Sequence, residues 1–322
     1  MNNIAALHEL LSTRLWCASP SLAHTTRDFL IALRAQPETI EAMQQESIIT
    51  LVAPLAVAPV SGSFASGAIE PTSERDYYHL DIPAVNPYTQ EAETRHLHLM
   101  EISGGILRNS GMCSAGSMDQ RDELIQAAND GCDAHIIIIN SGGGQATSMC
   151  DYEDGINYCR EHGQPVIAWV RGGAYSCAYA VAMMCDRLIC SSRVDGVGCI
   201  GALIAGFFQT DGDKNSITQE TYREWYATQS PDKNGVIRRA KSGDDAELQQ
   251  QLDECAQMFI DKVQQYRPQV TEEQRRGGDW EAAQVIGTLC DEIGDFSHAV
   301  DTALSLAEDA AIQQRKAGTR AE

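Results

Sequence analysis

The sequence is short of positive charge. Its 24 lysines and arginines face 45 aspartates and glutamates, a formal net charge of −21. Such a surplus repels phosphate backbones and anionic headgroups, which argues against nucleic acid or an anionic membrane as the main partner. Long hydrophobic runs are missing as well. The longest apolar stretches, in "HIIIIN" and "AYAVAMMC", are far too short to span a bilayer. The opening "MNNIAALHELLSTRLWCASP" has no basic leader followed by a long apolar segment, so no signal peptide is expected and a cytoplasmic protein is the default reading. None of the eleven cysteines forms a CxxC pair or a set with zinc-ligand spacing. They read as reduced, buried thiols, and no metal is expected. The glycine-rich turns match neither GxGxxG nor GxxxxGK[ST], so no nucleotide cofactor is expected either. Aromatic residues are sparse, at 6%.

What is present is ordinary for a soluble globular chain: 43% hydrophobic and 21% charged residues over 322 positions, enough for a core that needs no staples. Residues 1 to about 45 read as helices, because "NIAALHELLSTRL" and "TTRDFLIALRAQPETIEAMQQE" place apolar residues at helical spacing. A β-branched, proline-rich stretch then gives way to a glycine- and serine-rich loop. Residues 70 to 95 hold no clear period and read as a linker. From residue 96 the pattern is regular. "HLHLMEISGGI" alternates as a strand, "SAGSMDQRDELIQAANDG" is an amphipathic helix, and "AHIIIIN" is a strand buried on both faces. A helix ("SMCDYEDGINYCREHG"), a strand ("PVIAWVRG"), a helix ("SCAYAVAMMC") and a strand ("RLIC") follow, and a long amphipathic helix lies in "DDAELQQQLDECAQMFIDKVQQYR". Strands alternating with helices predict an α/β fold with a mostly parallel sheet and C-terminal helices. The predicted organisation is an N-terminal arm and linker over 1–95, a main domain over 96–305 and a charged tail over 306–322.

Three glycine-rich turns close successive predicted strands: "NSGGGQA" (140–146), "RGGAYSCAY" (171–179) and "DGVGCIG" (195–201). In open α/β sheets, ligands bind where strand ends meet helix starts, and backbone N–H groups there stabilise a developing oxyanion. Ser176 stands at such a helix start. Its bland role is a helix N-cap and its sharp role is a nucleophile, and the residues alone leave both open.

The blocks "IIIINSGGG", "GGAYSCAYAVAMMCDRLICSSRVDGVGCIGALIA" and "DWEAAQVIGTLCDEIG" resemble, in order and spacing, the signal peptide peptidase A / protease IV family of serine peptidases. Within that family they look most like the head-maturation proteases of tailed phages, the lambda C-protein type. The resemblance covers roughly residues 96 to 305. It departs from the family's pattern at Gly142, where a proline is usual, at Cys177, where an alanine is usual, and at Cys199, in a serine's place. It implies a Clp/crotonase-like fold of repeated ββα units and an oligomer acting on protein or peptide substrates, capsid and scaffold proteins in the phage branch. It also implies a Ser-Lys dyad with Ser176 as nucleophile.

Lys214, Lys233 and Lys241 are the candidate bases. Lys233, 57 residues after Ser176 (233 − 176) in the loop "TQSPDKNG", matches the family's lysine-bearing loop best. A free lysine titrates near about 10.4 and is no base at neutral pH. General-base work needs a value of roughly 7 to 8, hence apolar walls and no carboxylate partner. In family members of this size the lysine is implied to reach the serine of a neighbouring subunit. A histidine triad is the rival, but no histidine lies between Ser176 and His298, and His162 reads as a helix-end residue. The expected oxyanion donors are the N–H of Gly143 or Gly144 and that of Cys177. Gly142 and Gly173, in "SGGGQ" and "VRGG", are expected to border an extended substrate that adds as a strand. The readings that compete with a phage maturation protease are a cytosolic signal-peptide-peptidase-like protease, a non-catalytic oligomeric scaffold relative, and a crotonase-type enzyme. The last would need an acid in a glycine turn, and neither "NSGGGQA" nor "RGGAYSCAY" holds one.

Overall fold

A nine-stranded mixed sheet, counted over the described residues, organises the chain. The computed structural model describes residues 16–18, 77–85, 90–111, 115–204, 212, 221 and 223–318. The helices expected over 3–15 and 25–45, the strand and loop expected over 46–70, and Lys214 lie outside those residues. In chain order the strands are β1 (Trp16–Ala18), β2 (Tyr78–Val85), β3 (Ala92–Ile106), β4 (Ala134–Gln145), β5 (Val166–Tyr175), β6 (Arg187–Cys190), β7 (Gly196–Gly198), β8 (Asp279–Glu281) and β9 (Glu292–Ile293). The helices are α1 (Ser117–Asn129), α2 (Ser148–Glu161), α3 (Cys177–Met184), α4 (Gly235–Lys241), α5 (Ala246–Tyr266) and α6 (Phe296–Gly318).

The main path runs β2-β3-β4-β5-β6-β9. From β3 to β9 all neighbours are parallel, while β2 closes one edge antiparallel to β3. The predicted α/β class with a mostly parallel sheet and C-terminal helices is what the chain adopts. The continuous apolar run of β4 has its cause in burial on both faces. Ile137 and Ile139 point into one core with Met100, Ile102, Ala168 and Val170, beneath α1, α2, α3 and α5. Ile136 and Ile138 point the other way, into a second core with Leu97, Leu99, Trp169 and Ile189, covered by Phe296, Ala299 and Ala303 of α6.

Two segments differ from the sequence reading. The stretch taken as linker holds β2 and the start of β3, paired from Tyr78↔Leu99 to Val85↔Ala92. As an outer strand, β2 tolerates Pro83, whose missing N–H a central strand could not accept, and its outward residues are half exposed. Trp16–Ala18, inside a region read as helical, is a strand lying antiparallel on the end of β4. Three residues carry no period from which that could be read.

Candidate active site

The site forms where β4, β5 and β7 end side by side. Ser141 of β4 pairs with Ala174 of β5, and Ala174 pairs with Val197 of β7. β5 stops at Tyr175, Ser176 follows, and α3 begins at Cys177. All eight residues of α3 are buried, so the helix is fixed on every side by the core.

Ser176 is at the N-cap position but does not cap. A capping serine sits in extended backbone and accepts the N–H of the second or third helical residue. Here φ is +55° and ψ −122°, and the side chain makes no capping bond. The Ser176 N–H donates to Gly198 O at 2.8 Å, and its carbonyl accepts from Ala180 N at 2.9 Å. The residue is 1% exposed, yet its Oγ has no hydrogen-bond partner among the described residues. A non-glycine residue held at such φ/ψ costs on the order of 1–3 kcal/mol and persists only where its surroundings over-determine it. Cys199 repeats the strain at the end of β7, with φ +55° and its N–H on Gly278 O at 2.8 Å. Asp195 anchors the same region from below, accepting from Gly172 N, Ser191 Oγ and Ser192 N at 3.0, 2.8 and 2.8 Å.

The glycine loop of β4 follows Ser141, the last β4 residue paired with β5. Ser141 Oγ donates to Gly104 O at 2.6 Å and accepts from Gly143 N at 3.1 Å, which shapes the turn. Gly143 has φ +101°, and a Cβ on Gly144 would stand 1.9 Å from Ile106 O, so neither position suits a side chain. Gly142 is half exposed beside them. Cys177 Sγ donates to Gln145 O at 3.3 Å, tying the start of α3 to the last residue of β4. As the first helical residue, Cys177 has an N–H with no intrahelical acceptor. Its thiol is pushed up out of the ordinary range by burial, and the Cys199 thiol is raised by burial and then by Asp279. Thiolate chemistry is thereby disfavoured at both cysteines beside the serine.

Gly173 lies in β5. It pairs with Gly196 of β7, inside the sheet, and a Cβ there would meet the Tyr175 ring at 2.4 Å. That pairing takes the edge of β5 that faces β7. The sequence reading passed over Tyr175, whose ring spans the glycines of both strands. A Cβ on Gly196 would come within 1.7 Å of its hydroxyl. A tyrosine between glycine pairs was the only signal.

The lysines separate by their partners. Lys241 pairs with Glu224 and Lys262 with Glu153. Lys233 is exposed, in a turn where its N–H donates to Ser230 O at 3.2 Å, and it makes no ion pair among the described residues. Around it the described residues from 221 to 254 include none that is buried, and Trp225 is 84% exposed. Of the histidines, His162 binds Tyr158 O at the end of α2, and His298 contacts Glu292.

Residues 159–310 match the family model described as Peptidase family S49, a span that includes Ser176 and Lys233. No curated protein matches the chain. Similar solved structures include a point mutant of the 1510-N membrane-bound stomatin-specific protease, at 15% identity and a TM-score of 0.40, covering 63% of this chain and 81% of that one. A second mutant of the same protease, in complex with a substrate peptide, is 13% identical with a TM-score of 0.38, covering 63% and 77%. A point mutant of ClpP1 from Listeria monocytogenes is 12% identical with a TM-score of 0.40, covering 62% and 93%. No helix among the described residues is long and apolar enough to cross a membrane.

Proposed function

We propose that this peptidase S49 domain is a serine endopeptidase, with Ser176 as nucleophile and Lys233 as general base. The observation that carries the reading is the state of the Ser176 hydroxyl: buried, strained in its backbone and, among the described residues, without a hydrogen-bond partner. A structural serine forms the bond that repays its burial. A nucleophile keeps its oxygen free for a base and an acyl carbon. The oxyanion donors are the N–H of Gly144 and that of Cys177, the N–H of Gly143 being held by Ser141 Oγ at 3.1 Å. In the acyl step the Ser176 proton passes to the lysine and on to the leaving amine, and water then releases the acyl group.

The base requires a second chain. A lysine must lose roughly 3 pKa units, about 4 kcal/mol, to serve at neutral pH, and an exposed side chain gains none of that desolvation. Among its described residues the arm around Lys233 has none that is buried, and it displays Trp225, the character of a surface that packs against a neighbouring copy. In the homo-oligomer, Lys233 enters the apolar surroundings of another subunit's Ser176. The substrate class is protein, and the resemblance to the phage branch makes capsid and scaffold proteins of an assembling prohead its first candidates.

Mixing inactive variants tests this. Ser176→Ala and Lys233→Ala are each expected to hydrolyse no peptide and to resist a fluorophosphonate probe. Combined in equal amounts and allowed to exchange subunits, they regain about a quarter of the wild-type rate, because half the serines and half the lysines are intact and pair at random across interfaces. No recovery in a mixture that has demonstrably exchanged would end the shared-site reading. No fluorophosphonate adduct on assembled wild-type protein would end the peptidase reading and leave the scaffold role.

A further inference from the structure

The strand β1 lies where a substrate would. β4 offers two edges at Gly143 and Gly144. One is taken by β3, through Gly105↔Gly143 and Ile106↔Gly144. β1 therefore occupies the other, on the side of β5, with Trp16↔Gln145, Cys17↔Gly144 and Ala18↔Gly143 antiparallel. β5 no longer needs that edge, since its pairing with β4 ends at Ser141↔Ala174. Two residues beyond that last pair, the two chains have reached Gly143 and Ser176. By this register Ala18 falls at the level of the nucleophile, on the β5 side of Gly143 and one residue from Gly144. The cleft closes just beyond, where Cys177 Sγ meets Gln145 O at 3.3 Å.

We infer that the chain is its own substrate: β1 is bound by strand addition in the cleft, and the bond cut is Ala18–Ser19. The inference rests on the peptidase reading above and adds the substrate segment and the position of the cut. Strand addition uses main-chain hydrogen bonds and needs little from the side chains, so three residues suffice to fix the register. Ser176 Oγ attacks the Ala18 carbonyl carbon and forms an ester. The Ala18–Ser19 C–N bond breaks, and the Ser176 proton, carried by the Lys233 amine, goes to the Ser19 nitrogen. Water hydrolyses the ester, giving a carboxylate at Ala18 and a free Ser176. Until that cut, β1 excludes other peptides from the edge, and afterwards the edge is open to substrates in trans.

Intact-mass and N-terminal analysis of the assembled full chain tests the assignment. Wild type is expected to convert to a species beginning at Ser19, and Ser176→Ala to stay uncut. In parallel, wild type is treated with a fluorophosphonate probe. Labelling at Ser176 with the Ala18–Ser19 bond intact, or with cleavage at another bond, overturns the self-processing assignment and leaves the peptidase standing. Cleavage after Ala18 that persists in Ser176→Ala also overturns it, because the cut then has another author. Absence of both labelling and cleavage removes the peptidase reading and this inference with it.

Discussion

Replacing Ser176 by alanine asks whether the hydroxyl holds the fold or serves chemistry. A capping serine changed to alanine loses roughly 0.5–2 kcal/mol. For a domain of this size that lowers the melting temperature by about 2–4 °C per kcal/mol. The structure predicts otherwise. The Oγ is buried without a partner, so its removal breaks no hydrogen bond and relieves a desolvation cost. Alanine keeps the same backbone strain, so the expected change is between zero and about 1 kcal/mol of stabilisation. Ser176→Gly adds a second arm. Glycine adopts φ +55° freely, which relieves about 1–3 kcal/mol of strain against about 1 kcal/mol of extra chain entropy. It should stabilise further. Urea unfolding of the three chains, all carrying Lys233→Ala so that none processes itself, gives the comparison directly. A loss of more than about 1 kcal/mol in Ser176→Ala would show a cap or a hidden hydrogen bond and refute the reasoning.

Three further outcomes follow from the packing. Gly144→Ala drives a Cβ to within 1.9 Å of the Ile106 carbonyl oxygen, which is backbone and cannot swing aside. Overpacking of that kind costs about 1–3 kcal/mol in chemical unfolding, and a neutral result would contradict the close approach of β3 and β4. Asp195→Ala removes the carboxylate that accepts from Gly172 N, Ser191 Oγ and Ser192 N; water can reach these partly or fully exposed residues, so the loss should be on the order of 1–2 kcal/mol, and no loss would contradict the anchor. Stability should also fall in acid. His98 and His135, in contact through their Nδ1 atoms at 3.1 Å, are lowered from 6.5 to about 3, first by burial. The unfolded chain therefore binds more protons, and stability present above pH 6.5 is lost as pH falls toward 3. Glu123, bonded to His98 and raised by burial to about 7, works the other way, its contribution being full below 4.5 and lost as pH rises through 7. Two histidines outweigh one carboxyl, so the urea midpoint should drop between pH 6 and 4, and less steeply in His135→Gln. A flat profile would refute the neutral buried pair.

The parts of the fold legible in the sequence are those whose burial is uniform or strictly periodic. Ile136 to Ile139 announce a strand covered on both faces, and α5 announces itself by its amphipathic repeat. β2 was hidden because an outer strand with a proline and polar outward residues looks like a linker. β7, β8 and β9 have two or three residues each and no measurable period, as does β1. The candidate nucleophile was legible as a position but not as a state. A capping serine and an unbonded one have the same sequence, and only φ and the unpartnered hydroxyl tell them apart. The paired position of Gly173 escaped for a related reason: a glycine pair at a strand end reads as a free turn until its neighbour strand is known.

The two sides of the site are built on opposite principles. The hydroxyl is held without any bond of its own. Its N–H is tied to Gly198 O, β7 is locked by β8 and by Cys199 N on Gly278 O, and α3 is buried at every residue. Nothing short of disturbing the core can move it. The lysine side has no such support, since its arm contributes nothing to either core. The third participant, β1, is joined to the sheet by three residues. On the proposed roles, a nucleophile fixed by the core, a base on an exposed arm and a removable strand place control of activity in association and processing. Core substitutions should therefore change stability and activity together, whereas changes in the arm or in β1 should change activity and leave the unfolding free energy of the sheet domain alone.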